Sequence, residues 1–356
     1  MKSIYGGYEV SEFTWAYGFA GANTANGFRG LYDELADEGS LDRLYIIKGG
    51  AGTGKSTLIR RVSEAFAERG GNVEYYLCGS DPTSIDCAVL DGRIAILDGT
   101  SPHVCEMRYP GAASALIDLS VFWNSAYLEE HRADIIGLCA EKREIMESVY
   151  RYMRAADIAE RERTVHAKRL FDTEKAERYA ERLTKRLGKP CERERGRVSP
   201  RYERAVSMHG CRYLRTFERL AETVYTVTDV QDCAPLFMEL LSARLTESGH
   251  DTLVSRLPIT GQIDGIYVPE KSVTFVCREA SDEGAGENDI RMTRFVKDGP
   301  RGELRLAARL YGSCVDEAVA QLERARERHF ALESIYGEAM DFPSLERYTE
   351  ALATML

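Results

Sequence analysis

Leu44-Tyr45-Ile46-Ile47 is a short apolar run with β-branched residues, the pattern of a buried strand. After a glycine-rich interval the period changes. Leu58, Ile59, Val62, Ala65 and Phe66 fall on one face of a helix over residues 57–69, and Gly70-Gly71 stops it. Residues 73–78 and 93–98 read as a second and a third strand, the latter running from Ile94-Ala95-Ile96-Leu97 into Asp98. Ahead of these, residues 18–30 are glycine-rich around the tight-turn pair Asn26-Gly27. They predict a short hairpin or looped strand before a helix over 31–36. From Leu116 to about Leu187 the period is helical, carried by Ile135, Leu138, Ile145, Met146, Val149, Tyr150 and Met153. Glycine and proline are nearly absent there. Two or three long helices are expected, as an antiparallel hairpin projecting from the α/β core.

The second half echoes the first. Residues 45–98 and 224–276 can be laid side by side with a shift of about 179. The run 44–47 matches 223–227, and the helix ending at Gly70 matches one over 236–248 ending at Gly249. Residues 91–97 match 270–276, and Glu147-Ser148-Val149-Tyr150 matches Glu333-Ser334-Ile335-Tyr336. Residues 281–288, rich in Gly, Glu and Asp, read as a flexible loop, and 304–336 as helix.

The interval after the first strand carries the chemistry. Gly49-Gly50-Ala51-Gly52-Thr53-Gly54-Lys55-Ser56-Thr57 fits G-x-x-x-x-G-K-[ST] between a strand and a helix. Several backbone N–H groups must point at a phosphate chain together, and only a loop without Cβ atoms curls that tightly. Lys55 would reach the β and γ phosphates, Ser56 would hold Mg²⁺, and the next helix would aim its positive end at the anion. Asp98, at the end of its strand, is the candidate Walker B acid and second metal holder. Gly99 follows it where many fast ATPases carry a water-positioning acid. His103 is a candidate γ-phosphate sensor or nucleophile polariser. Asp81 and Asp86 either orient a water or acceptor hydroxyl or are solvated turn residues. Asn23, Thr24 and Arg29 either face a base or substrate or form a surface turn. The matching segment of the second half, Thr228-Asp229-Val230-Gln231-Asp232-Cys233-Ala234-Pro235, has no glycine and no lysine but two acids, which would repel a phosphate. Val276-Cys277 stands where the second acid would be.

Charge divides the chain. Between Arg151 and Arg219 there are 20 Lys/Arg and 11 Asp/Glu, a net of +9 within a chain of net −10. Arg193, Arg195, Arg197, Arg201 and Arg204 cluster beside glycines and prolines as an anion-facing lid or a solvated arm. Arg108 or an arm arginine is a candidate arginine finger. The overall negative charge argues against general nucleic-acid binding, which stays a minor alternative. Composition is globular, with 44% hydrophobic and 29% charged residues. The start of the chain lacks an apolar signal core, and no stretch approaches membrane-spanning length. The nine cysteines form no C-x-x-C pair, so reduced, mostly buried thiols without a zinc site are expected in a cytoplasmic protein.

Residues 18–30 and 49–57, Cys78-Gly79-Ser80-Asp81-Pro82 and Ile96-Leu97-Asp98-Gly99-Thr100-Ser101-Pro102-His103 together resemble a poorly characterised family of bacterial tandem P-loop ATPases. The resemblance implies a nucleotide-kinase-like or ATPase activity and two related halves, both able to carry a glycine loop; this chain departs from that in its second half. The expected architecture is α/β. A P-loop NTPase three-layer αβα core spans 1–126, a helical arm that is basic at its end spans 127–205, and a degenerate P-loop-like half spans 206–356. The expected function is Mg-ATP binding at one site with γ-phosphate hydrolysis or transfer. Alternatives are an ATP-dependent switch or scaffold, and a small-molecule kinase with the arginine cluster as its lid. ATP is preferred over GTP because no [NT]KxD motif occurs. Acceptor and protein partner are not legible.

Overall fold

The computed structural model describes residues 8–10, 15–103, 105–188, 194–279, 288–297 and 302–356. The expected loop at 281–288 falls almost wholly outside them, as do Pro190, Cys191 and Arg193.

The chain opens with β1 (Tyr8–Val10), β2 (Gly18–Phe19), the hairpin β3 (Gly21–Thr24) and β4 (Gly27–Gly30), and the short α1 (Tyr32–Leu35). β5 (Arg43–Lys48) leads into α2 (Lys55–Glu68), followed by β6 (Val73–Leu77), β7 (Ile85–Leu90), β8 (Ile94–Asp98) and β9 (Ser114–Asp118). A 3₁₀ turn over Leu119–Phe122 precedes α3 (Ser125–Glu130), the long α4 (Arg132–Leu170) and α5 (Thr173–Leu187). Then come β10 (Val198–Arg201), β11 (Arg204–Ser207), β12 (Gly210–Tyr213), α6 (Thr216–Leu220), β13 (Thr223–Asp229) and α7 (Ala234–Glu247). β14 (Thr252–Arg256), β15 (Ile263–Val268), β16 (Val273–Glu279) and β17 (Asn288–Arg291) complete the strands. A turn over Met292–Phe295, α8 (Gly302–Ala339) and α9 (Phe342–Met355) finish the chain.

The architecture is α/β with mixed sheets. Two six-stranded sheets have the same order, β2-β6-β7-β8-β5-β9 and β10-β14-β15-β16-β13-β17. In each, the strand before the loop under study (β5, β13) lies parallel between two neighbours, while β7 and β15 run antiparallel to the strands beside them. β7 and β9 are additions to the sequence reading. β7 is buried at all six positions and joins β8 through Asp91-Gly92, both at positive φ (48° and 67°). With Arg93 they make a three-residue connection between the paired Leu90 and Ile94, opened by an Asp-Gly turn signal. β9 occupies residues placed in the helical region, and helix begins only at Ser125.

The long helices do not project as a free hairpin. α4, 39 residues and about 58 Å at 1.5 Å per residue, packs antiparallel on α8 of the other half. Tyr127 bonds Glu338 at one end, and Glu141 bonds Arg328 further along. Val149, Met153, Ala156, Glu160, Arg163 and Ala167 are buried at alternating spacings of four and three, a coiled-coil seam. Each long helix carries the chain across to the opposite sheet. Ala176, Ala180 and Leu183 of α5 lie in the second core with Phe237 of α7, and Leu345, Leu352 and Ala353 of α9 lie in the first core with Leu58 and Val62 of α2. The crossings match in detail. Asp172 donates its N–H to Phe295 O and Asp341 to Phe122 O, both at 2.7 Å, and each aspartate caps the helix after it. These ends correct one expected match. Glu147–Tyr150 lies in mid-α4, whereas Glu333–Tyr336 lies in the last turns of α8, so the two are not equivalent.

The basic cluster is a loop only in part: Arg195 and Arg197 lie in irregular backbone before β10. Arg201 ends β10, and Arg204 on β11 is buried, 2.6 Å from Asp264 and stacked on Tyr213. No helix among the described residues is long and apolar enough to cross a membrane.

The exchange predicts that α9 stabilises the first core. Leu345→Ala should cost about 2–5 kcal/mol, read as a lower urea midpoint by tryptophan fluorescence, since Trp15 and Trp123 both report on that half.

Candidate functional site

The glycine loop leaves the C-terminal end of β5 and enters α2 at Lys55. Gly52 and Gly54 have φ of +67° and +88°, where a Cβ is strained. Lys55 Nζ donates to Gly50 O at 2.5 Å and lies 3.7 Å from Asp98 Oδ2. Asp98 ends β8, the parallel neighbour of β5, in register with Ile47. Its Oδ1 accepts from Thr100 N–H at 2.8 Å, and Thr100 Oγ1 donates to Gly49 O at 3.1 Å. Lys48 Nζ donates to Gly99 O at 2.5 Å, so the loop and the turn after β8 are tied at both ends. Thr53 is buried and its hydroxyl donates to Gly50 O, whereas Thr57 is exposed. Ser56 Oγ accepts from Ile85 N–H at 2.8 Å, which leaves its own proton and further lone pairs for a ligand.

The last turns of α8 lie directly on this loop. A Cβ at Gly50 would come within 2.6 Å of the Tyr336 ring, and one at Gly52 within 2.8 Å of the Glu333 carbonyl oxygen. Ala51 lies between them. The two glycines therefore serve helix docking as well as loop curvature. Sequence reasoning missed three groups here. Lys142 of α4 bonds His329 Nδ1 at 3.0 Å, and His329 Nε2 lies 3.5 Å from Glu333 Oε1. A lysine only donates, so Nδ1 accepts and Nε2 carries the proton toward Glu333. Burial, reinforced by Lys142, lowers the His329 pKa to about 4. Burial also lowers Lys142, and burial with Asp81 raises Glu333. Lys55 is within electrostatic reach of all three. The missing signal was positional, because 142 and 329–333 reach the loop only through the exchange of long helices.

Other expected site residues fall elsewhere. His103 is buried against Tyr32, Asp86 and Phe28. Asp86 is 2% exposed, not a solvated turn residue, and burial raises its pKa to about 6. Asp81 accepts from Thr83 and pairs with His209 Nε2 at 3.2 Å. Asn23 is fully buried, donates to Ser80 and Val206 and accepts from Tyr150, so it joins elements and is not open to a base. Thr24 closes its own turn on Gly27 O, and Arg29 is exposed. Arg108 pairs with Asp33 and Asp37 beside α1.

At the equivalent place in the second half the chain supplies its own anions. Gln231 and Asp232 keep positive φ without glycine, 57° and 59°. Asp229 accepts from Ala234 N–H at the start of α7 at 2.8 Å. Asp232 is gripped by Arg163 of α4, which also holds Glu160 at 2.8 Å. Burial raises both aspartates, with Asp232 adding to the rise at Asp229 and Arg163 opposing it at Asp232.

Compared with protein-family models, curated proteins and solved structures, the chain matches none.

The neutral His329 carries a pH prediction. Its folded pKa of about 4 lies below the ordinary value of 6.5, so the stability it contributes is present above pH 6.5 and is lost as pH falls toward 4. Between pH 8 and 5 the protein should lose about 2 kcal/mol more than His329→Gln does, measured by urea unfolding at each pH.

Proposed function

We propose that the chain binds ATP with Mg²⁺ at residues 49–57 and that the γ phosphate is hydrolysed or transferred at this single site. The observation that carries this reading is the meeting of Lys55 and Asp98, 3.7 Å apart at the ends of adjacent parallel strands and at the N-terminus of α2. Gly49–Lys55 supply backbone donors, and α2 adds its positive end. Lys55 would exchange the Gly50 carbonyl for phosphate oxygens and neutralise the charge that develops there. Ser56 and Asp98 would hold Mg²⁺, which would supply positive charge to offset that of the phosphates. In hydrolysis, water attacks the γ phosphorus and its bond to the ADP oxygen breaks. Glu333, beside the loop on α8, would take the water's proton, in the role that Gly99 leaves vacant. Burial and the nearby Asp81 raise its carboxyl above the ordinary glutamate range, the direction that favours proton uptake.

On this reading the first half is a P-loop NTPase core and the second a degenerate copy. The acids Asp229 and Asp232, neutralised by Arg163, occupy the anion position and exclude a second nucleotide. A switch is the second reading, favoured by the seating of α8 on Gly50 and Gly52, where a bound phosphate would alter the contact between halves. For the kinase reading, Arg204 is withdrawn from the arginine lid by its pairing with Asp264.

Calorimetric titration of Mg-ATP should give a stoichiometry near one, and Lys55→Ala should weaken binding at least about 100-fold; two sites, or unchanged binding in the variant, would overturn the reading. Glu333→Gln should leave binding within about threefold while lowering turnover by about 100-fold or more, measured as phosphate release at saturating Mg-ATP.

A further inference from the structure

Cys78, Asp86 and His103 are far apart in sequence and meet in the first sheet. Cys78 follows β6, Asp86 sits on β7 and His103 lies in the loop after β8, and all three are buried. One ligand-capable atom from each lies within 4.8 Å of the other two. His103 Nε2 is 3.5 Å from Asp86 Oδ2. Ligands bonded at 2.0–2.3 Å around a tetrahedral ion are roughly 3.3–3.8 Å apart, so a small inward adjustment places all three on one centre.

The surroundings fit a ligand set. Tyr32 OH lies 2.5 Å from His103 Nδ1 and 3.4 Å from Asp86 Oδ2. With Nδ1–H donating to the phenol oxygen and the phenol donating to Asp86, Nε2 keeps its lone pair for a metal. This is the outer hydrogen bond that fixes the tautomer of a ligating histidine. The edge-on Phe28 ring, 4.9 Å away, holds the imidazole in plane. Burial holds the Cys78 thiol well above its ordinary range, and the backbone N–H groups of Asp81 and Ser80 oppose that rise. A metal at this site would displace the thiol proton on binding.

We infer that Cys78, Asp86 and His103 bind one divalent cation of borderline softness. A thiolate, a carboxylate and an imidazole suit Zn²⁺ and disfavour Mg²⁺ or Ca²⁺, which take oxygen ligands. Three protein ligands leave the fourth tetrahedral position for water or a substrate group, as in catalytic rather than closed structural sites. Asp98 lies within electrostatic reach of Asp86, so this ion neighbours the proposed nucleotide site. None of its ligands belongs to the glycine loop, and the inference does not rest on ATP binding. Linear spacing concealed the cluster. The antiparallel β7, absent from the sequence reading, brings Asp86 back beside the ends of β6 and β8.

Titration of the metal-stripped full chain with Co²⁺ tests it, because a thiolate ligand gives a near-ultraviolet charge-transfer band. The band should saturate at one equivalent and be displaced by Zn²⁺. It should vanish in Cys78→Ser, remain in Lys55→Ala, and need about 10- to 100-fold more Co²⁺ in Tyr32→Phe. His103→Asn, with at least about tenfold weaker binding, serves if Cys78→Ser does not fold. No band in the folded wild type, a band kept at full strength in Cys78→Ser or His103→Asn, or one lost in Lys55→Ala would overturn the inference.

Discussion

A loop that lacks side chains can be approached closely from outside, and this protein uses that approach to join its halves. Tyr336 and Glu333 rest on Gly50 and Gly52 at distances that no Cβ would permit. The contact exists because α4 and α8 cross between the two sheets, each ending in a short helix that completes the other half's core. The first core lacks its full cover without α9, and the glycine loop lacks its outer wall without α8. Chain segments distant in sequence thus make one hydrophobic and electrostatic unit, and substitutions at either end of it should be felt in both halves.

The same geometry gives opposite results at the two loops. Beside the first, α8 presents a neutral histidine and a half-buried glutamate, and α4 a half-buried lysine. In the proposed reading these leave the loop's donors to an anion, toward which Lys55 would turn from the Gly50 carbonyl. Beside the second, α4 presents Arg163, which binds both Glu160 and Asp232 in a buried ionic network. Removing one partner of such a network leaves an uncompensated buried charge and is strongly destabilising. In the proposed reading, the second half keeps its sheet and its exchanged helix and has replaced the phosphate with its own carboxylates.

The local signals in the sequence were strong where one element decides its own structure. β5, the glycine loop, α2, the β3–β4 hairpin and α7 follow from apolar period, glycine placement and helix stops. β7 was passed over although its Asp91-Gly92 turn was a legible hairpin signal. The destination of the long helices was not legible. Periodicity shows that α4 has an apolar seam and does not name its partner, so a free arm was as consistent with the pattern as a helix pair. The arginine cluster misled for a related reason. Arg204 has the charge of a surface residue, and only β11 pairing buries it against Asp264. The groups around the first loop that come from 142 and 329–336, and the convergence of Cys78, Asp86 and His103, depend on that long-range topology.

The central claim is one nucleotide site, in the first half, closed by a helix of the second. Hydrogen exchange of the wild type with and without Mg-ATP tests it most directly. The account predicts added protection at residues 49–57 together with 329–336, and no change at 228–235. Protection at 228–235, or protection of the first loop with no response in α8, would contradict it.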